Sequence, residues 1–224
     1  MPINVDLEVD LEELAARSAE FETAPATAAM AWVHRRFDGA VSLACSFQDC
    51  VVVDLAVQVD PTMEVLFLDT GFHFPETLEY VERVRARYDL NLKVLTPSPE
   101  ADRWPCGSER CCELRKVAPL DDALAGRGAW LTGLKRVDAP TRFAAPIVSW
   151  DDRRSLVKVN PMAAWTDDDI AHYSADHRLP EHPLVAKGYL SIGCAPTTRP
   201  VAPGEGPRSG RWAGTGKTEC GLHV

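Results

Sequence analysis

Apolar residues recur at three- and four-residue spacing over Leu11 to Phe21 and again over Thr27 to Phe37, which predicts a pair of N-terminal helices. From Ala40 onward, short apolar runs alternate with longer periodic stretches. Ala40 to Cys45 (AVSLAC), Glu64 to Leu68 (EVLFL), Leu92 to Leu95 and Ala129 to Thr132 (AWLT) read as buried strands. Cys50 to Val59, Pro75 to Tyr88 and Cys111 to Leu124 read as the helices between them, the second with proline in its first turn, where no N–H is needed. This alternation predicts an α/β fold with a mostly parallel sheet and helices on both faces. Ile147 to Trp150 and Ser155 to Val159 predict a hairpin around Asp151-Asp152. Thr166 caps a helix whose first turn, Asp167-Asp168-Asp169, is better read as a capping box than as a metal site. Arg199 to Gly216 is rich in proline and glycine and predicts a mobile arm that delivers Cys220. The expected organisation is one domain: helices over 1–38, an α/β core over 40–198 and the arm over 199–224.

Parallel sheets of this type bind ligands beyond the carboxyl ends of their strands. Those ends carry Ser46-Phe47-Gln48-Asp49, Asp69-Thr70-Gly71 and Gly133-Leu134-Lys135-Arg136, so small, hydroxyl and basic residues converge on one edge. A hydrophobic fraction of 46% supports a core without staples. The longest apolar stretch, Val51 to Val53 then Leu55 to Val57, is interrupted by Asp54 and is far too short to span a membrane. The acidic N-terminal stretch lacks the features of a signal peptide, so a soluble cytoplasmic protein is expected. With 33 acidic and 24 basic residues the formal net charge is −9, which disfavours a nucleic-acid partner.

An odd number of cysteines, seven, argues against a disulfide framework and for metal or redox chemistry. Cys45 and Cys50 fall on core positions. Cys220 stands between Lys217 and His223, and basic neighbours with solvent access favour a thiolate, so it reads as a nucleophile. The adjacent pair Cys111-Cys112 closes only a strained disulfide and is more useful as paired ligands.

Several blocks taken in order resemble the sulfonucleotide reductase family, assimilatory enzymes acting on adenosine 5'-phosphosulfate or its 3'-phosphorylated form. They are Leu68-Asp69-Thr70-Gly71 with Phe74-Pro75-Glu76-Thr77, then Cys111 to Val117, Gly133 to Arg142 and Ile192 to Pro200. Arg208-Ser209-Gly210-Arg211-Trp212 and the Lys217 to His223 ending complete the resemblance, which runs from about Val41 to the C-terminus. It implies a Rossmann-like, nucleotide-alpha-hydrolase fold whose arm closes over the active site. Cys220 is then the residue that attacks the sulfur, expels AMP and becomes S-sulfocysteine, from which thioredoxin releases sulfite. Substrate contacts implied by the family or by the strand ends are Ser46, Asp69, Thr70, Gly71, Lys116, Gly133, Lys135, Arg136, Arg142, Arg208, Arg211 and His223. A homo-oligomer is compatible with this reading.

In the branch acting on adenosine 5'-phosphosulfate, a vicinal pair and a Cys-x-x-Cys hold a [4Fe-4S] cluster. The resemblance therefore assigns Cys111, Cys112 and Cys194 as metal ligands, but Thr197 stands where the fourth cysteine belongs. A hydroxyl is a poor ligand for such iron, so a labile or incomplete cluster is expected, with Cys106 as a substitute ligand or an idle thiol. The enzyme for the 3'-phosphorylated substrate is the nearest alternative, and the retained vicinal pair speaks against it. An adenylating ATP pyrophosphatase would need a glycine-rich loop where this chain has Ala44-Cys45-Ser46-Phe47-Gln48-Asp49. A non-catalytic iron–sulfur or redox protein is the remaining alternative, and it predicts no turnover of sulfonucleotide.

Overall fold

The structure is a computed structural model and describes residues 9–213 and 217–222. Helices α1 (Leu11–Phe21) and α2 (Ala26–Arg36) precede β1 (Val41–Ala44), α3 (Val51–Val59), β2 (Glu64–Leu68), α4 (Pro75–Tyr88) and β3 (Leu92–Leu95). There follow α5 (Glu109–Cys112), a π-helical turn at Glu113–Val117, α6 (Ala118–Leu124) and β4 (Ala129–Thr132). The hairpin strands β5 (Val148–Asp151) and β6 (Leu156–Val159) and helix α7 (Asp167–Asp176) complete the regular elements. The strands form one six-stranded sheet in the order β3-β2-β1-β4-β6-β5, mostly parallel and flanked by helices. Among the described residues no helix is long and apolar enough to cross a membrane.

Contacts divide the chain into two units. The first comprises Met1–Cys45, Val51–Val65 and Leu124–Leu179. In it β1 pairs in parallel with β4 from Val41 opposite Ala129 to Ala44 opposite Thr132, β4 pairs in parallel with β6, and β5 returns antiparallel to β6. Helix α1 starts at Asp10, whose carboxylate accepts the N–H groups of Glu12 and Glu13, and buries Leu14, Ser18 and Phe21 at helical spacing. The Ser18 hydroxyl accepts the N–H groups of Ile147 and Val148 at 3.0 and 3.2 Å, satisfying two buried donors where β5 begins. Helix α3 opens with Val51-Val52-Val53, a β-branched run costing roughly 0.5 kcal/mol per residue in helix propensity. All three are buried, at about 1.5–3 kcal/mol each, so burial decides the conformation. Asp54 in the same helix is buried and accepts from the Tyr173 hydroxyl at 2.6 Å and from Gln58 at 2.8 Å. Thr166 and Asp169 form the expected reciprocal cap of α7.

The second unit comprises Ser46–Cys50, Leu66–Ala123 and Pro180–Val224. Helix α4 begins with Pro75 and ends at Asp89 in the left-handed region, with Thr77, Tyr80, Val81 and Val84 buried. The Tyr80 hydroxyl donates to the Pro180 carbonyl at 2.8 Å, and Nε2 of His182 meets the Thr77 hydroxyl at 3.1 Å, which ties the returning chain to this helix. The last segment, from Arg199 on, holds no helix or strand among its described residues and is fastened by single backbone bonds. Arg199 N–H donates to Gly210 O, Val201 N–H to Gly188 O and Trp212 N–H to Thr197 O. Gly210 is required here, since a Cβ at that position would overlap the Arg199 carbonyl oxygen.

Candidate active site

Every residue of the cysteine-rich site belongs to the second unit. At the end of β2 the chain turns through Asp69, Thr70 and Gly71. Asp69 accepts the Gly71 N–H at 2.9 Å and the Thr70 hydroxyl accepts the Phe72 N–H at 3.3 Å. Gly71 has φ of 71°, a conformation that favours glycine. The loop is clamped by Arg115, whose Nη1 donates to the Thr70 carbonyl at 2.8 Å while its guanidinium stacks on the Phe72 ring at 4.4 Å. The other amino group pairs with Asp102 at 2.7 Å. The Phe72 carbonyl in turn accepts the Ala195 N–H at 2.7 Å, which brings the 191–198 segment to the same loop.

Ser108 caps α5 by accepting the Cys111 N–H at 3.2 Å, and the helix widens into the π turn at Glu113–Val117. Such turns are often found at functional sites. Here the turn carries two consecutive basic residues with different partners. Arg115 holds the loop after β2, and half-buried Lys116 faces sulfur. Burial opposes the Lys116 charge, yet the facing sulfurs of Cys194, Cys220 and Cys112 outweigh both burial and nearby Arg211 and hold its ammonium above the ordinary lysine range.

Cys194 is buried. A hydrogen bond from Cys106 stabilises its thiolate most, burial works against it, and Lys116 and the Thr70 hydroxyl add to the stabilisation, so its thiol is pulled down to about 4. The proton of the pair resides on Cys106, whose thiol is pushed up by the Cys194 thiolate and by burial. The Thr70 hydroxyl lies 3.5 Å from Cys194 Sγ. Thr197, three residues on, donates to the Cys194 carbonyl at 3.3 Å.

The arm completes the group. Arg211 donates to the Ile192 carbonyl at 3.1 Å and lies against Gly193, where any side chain would overlap its guanidinium. Arg208 donates to the Thr218 carbonyl at 3.2 Å and lies 3.5 Å from Glu219. Lys217 donates to Cys112 Sγ and to the Gly107 carbonyl, each at 3.1 Å. Cys220 is half-buried, and none of the seven cysteines forms a disulfide.

The expected iron–sulfur ligand set is not assembled. Among the described residues no group of three or more Cys, His, Asp or Glu side chains is placed to hold a metal ion. The sulfurs that the resemblance assigned to a [4Fe-4S] cluster have separate partners instead: Cys194 is bonded to Cys106 and Thr70, and Cys112 to Lys217. The expectation of a cluster on Cys111, Cys112 and Cys194 is therefore corrected: among the described residues these side chains do not assemble into a metal site.

Of the expected substrate residues, Asp69, Thr70, Gly71, Lys116, Arg208 and Arg211 lie in this unit with the cysteines, as does the exposed Ser46. His223 lies outside the described residues. Gly133, Lys135, Arg136 and Arg142 belong to the first unit, where carboxylates meet all three charges. Lys135 reaches Asp167 at 2.6 Å, Arg136 reaches Glu22 at 2.9 Å and Arg142 reaches Asp138 at 3.2 Å. Arg115 and Trp212 were not singled out from the sequence, although both stand in the blocks that carry the resemblance.

The family model described as the phosphoadenosine phosphosulfate reductase domain matches residues 39–200. The chain is 47% identical to an adenosine 5'-phosphosulfate reductase of Mycolicibacterium smegmatis, covering 99% of this chain and 98% of the relative. It is 47% identical to the enzyme of that name in Rhodococcus opacus, covering 99% and 100%. Its fold is similar to the crystal structure of a phosphoadenylyl-sulfate reductase from Candida auris, with a TM-score of 0.76 at 22% identity over 86% of this chain and 99% of that one. A sequence match over most of the chain and two full-length relatives place this protein: the chain belongs to the phosphoadenosine phosphosulfate reductase family.

Proposed function

We infer that the protein reduces adenosine 5'-phosphosulfate to sulfite and AMP in assimilatory sulfate reduction, the route to cysteine, with Cys220 as nucleophile. The observation that carries this reading is the arrangement around Lys116, whose ammonium faces Cys220, Cys194 and Cys112 beside Arg211. Positive charge gathered around a thiol suits attack by sulfur on the sulfate of a phosphosulfate anhydride. Full-length similarity to two relatives named adenosine 5'-phosphosulfate reductase supports the substrate.

In the first step the Cys220 thiolate forms a bond to the sulfate sulfur while the bond from that sulfur to the phosphate oxygen breaks. AMP leaves with the electron pair, and Cys220 becomes S-sulfocysteine. In the second step a dithiol, for which thioredoxin is the proposed donor, attacks Cys220 Sγ and displaces sulfite. The donor's second thiol then resolves the mixed disulfide and restores the Cys220 thiol, so the dithiol supplies the two electrons. Lys116, Arg208 and Arg211 balance the phosphate and sulfate charges. Seven cysteines outside any disulfide suit a reducing compartment, and we place the enzyme in the cytoplasm.

The test is sulfite release with thioredoxin, comparing kcat/KM for adenosine 5'-phosphosulfate and its 3'-phosphorylated form. Preference for the former is expected. Preference for the 3'-phosphorylated nucleotide would assign the protein the other activity of the family.

A further inference from the structure

Trp212 combines three features that the nucleophile does not explain. Its φ is 49°, in the left-handed region, where a bulky side chain is an outlier. Its side chain is buried, and its N–H bonds to the Thr197 carbonyl at 2.9 Å. Three cations stand around its ring, with Arg211 Cζ at 4.6 Å, Arg208 Cζ at 5.7 Å and Lys217 Nζ at 5.9 Å from the centroid.

Three like charges around one ring repel each other, and the negative face of an indole, together with the Glu219 carboxylate 3.5 Å from Arg208, offsets part of that repulsion. Glycine would suit the backbone at φ 49° but offers no ring, so the strained conformation is consistent with a demand for this side chain. Arg208 and Arg211 precede residues 214–216 and Lys217 follows them, so one ring meets cations from both sides of that stretch in sequence. Each cation also reaches away from the ring: Arg211 to the Ile192 carbonyl, Arg208 to the Thr218 carbonyl two residues before Cys220, and Lys217 to Cys112 Sγ.

We propose that Trp212 is a positioning residue for sulfonucleotide reduction, its indole holding Arg208, Arg211 and Lys217 as one cationic cluster in the segment that carries Cys220. The proposal rests on the function inferred above. It predicts that the electrostatics of the ring, and not only its volume, set the reaction rate.

The test installs tryptophan analogues with one, two and four ring fluorines at position 212 by site-specific incorporation, which weakens the negative face stepwise at nearly constant size. kcat/KM for adenosine 5'-phosphosulfate should fall monotonically with fluorine number, by about tenfold for the tetrafluoro ring. Acetylation of Lys217 by acetic anhydride, followed by peptide mass mapping, should rise in parallel while the melting temperature stays near that of the parent. Trp212→Phe, with a weaker π face, should fall between the parent and Trp212→Leu in both readouts. Flat rates across the fluorine series, or falling rates with unchanged Lys217 labelling, would overturn the proposal. If the unsubstituted protein proves inactive toward sulfonucleotides, the functional reading fails, and the Lys217 labelling series alone still decides whether the ring holds the cluster.

Discussion

Arg115→Met removes a guanidinium while keeping most of the apolar stem, so its effect can be assembled from the contacts of the parent. The buried Thr70 carbonyl loses its donor, which costs about 1–3 kcal/mol. Loss of the guanidinium from the Phe72 ring costs about 1–2 kcal/mol. The ion pair to Asp102 contributes less than about 1 kcal/mol, because the Asp102 side chain is 78% exposed and water screens it. Against these losses, the buried Nε of Arg115 has no hydrogen-bond partner among the described residues, and removing it returns about 1–3 kcal/mol. The net expectation is a destabilisation of about 1–3 kcal/mol, or a melting temperature lower by roughly 2–12 °C for a chain of this size. Turnover should suffer further, because the same loop places the Thr70 hydroxyl against Cys194 Sγ and the Phe72 carbonyl on the Ala195 N–H; a fall in kcat/KM of about tenfold or more is expected. Urea unfolding and thioredoxin-coupled sulfite release measure the two effects. The contrast is Asp102→Asn, which should stay within about 0.5–1 kcal/mol of the parent. If Asp102→Asn destabilises as much as Arg115→Met, or if Arg115→Met is neutral in both assays, the clamp on the Thr70 loop is not what Arg115 does.

Two further outcomes follow from titratable groups in the same unit. His182 accepts the Leu184 N–H on Nδ1, and burial, then Arg83, push its pKa down to about 4 from 6.5. Because the folded value lies below the unfolded one, stability is full above pH 6.5 and falls as pH drops toward 4, by about 3 kcal/mol in all; urea midpoints of the parent and His182→Gln at pH 7 and 4.5 should show the acid-side loss only in the parent. Cys106→Ala removes the donor that most stabilises the Cys194 thiolate, so the pH midpoint for modification of Cys194 by a small thiosulfonate, followed by peptide mapping, should rise by at least about one unit, and an unchanged midpoint would reject the Cys106 hydrogen bond.

The strands were legible because each is a short apolar run between turn residues, and β2, β3 and β4 begin and end where that pattern does. Thr166 and Asp169 were legible for a similar reason, since a capping box is local in sequence. The hairpin shifted by one residue because Asp151 extends β5, where it accepts the Trp130 Nε1 hydrogen at 3.0 Å, a partner far away in sequence. The helix predicted over Cys111 to Leu124 exists, but its π turn did not show, because widening a helix by one residue has no compositional signature. The largest error was the cluster. The resemblance implied that Cys111, Cys112 and Cys194 act as one ligand group, but a motif carries no information about where each sulfur turns, and Lys217 and Cys106 took two of them. Arg115 and Trp212 escaped notice because their roles depend on Thr70, Phe72 and the arm coming together only in the folded chain.

The central claim is that sulfur transfers to Cys220. Incubation with adenosine 5'-phosphosulfate in the absence of thioredoxin, followed by intact mass and peptide mapping, should find one sulfo group per chain, on Cys220, with one AMP released, and thioredoxin should then discharge it as sulfite. Cys220→Ser should bind the nucleotide and form no adduct, since a hydroxyl is far less ionised than a thiol near neutral pH. An adduct on Cys112 or Cys194, or sulfite production by the Cys220→Ser protein, would contradict the account.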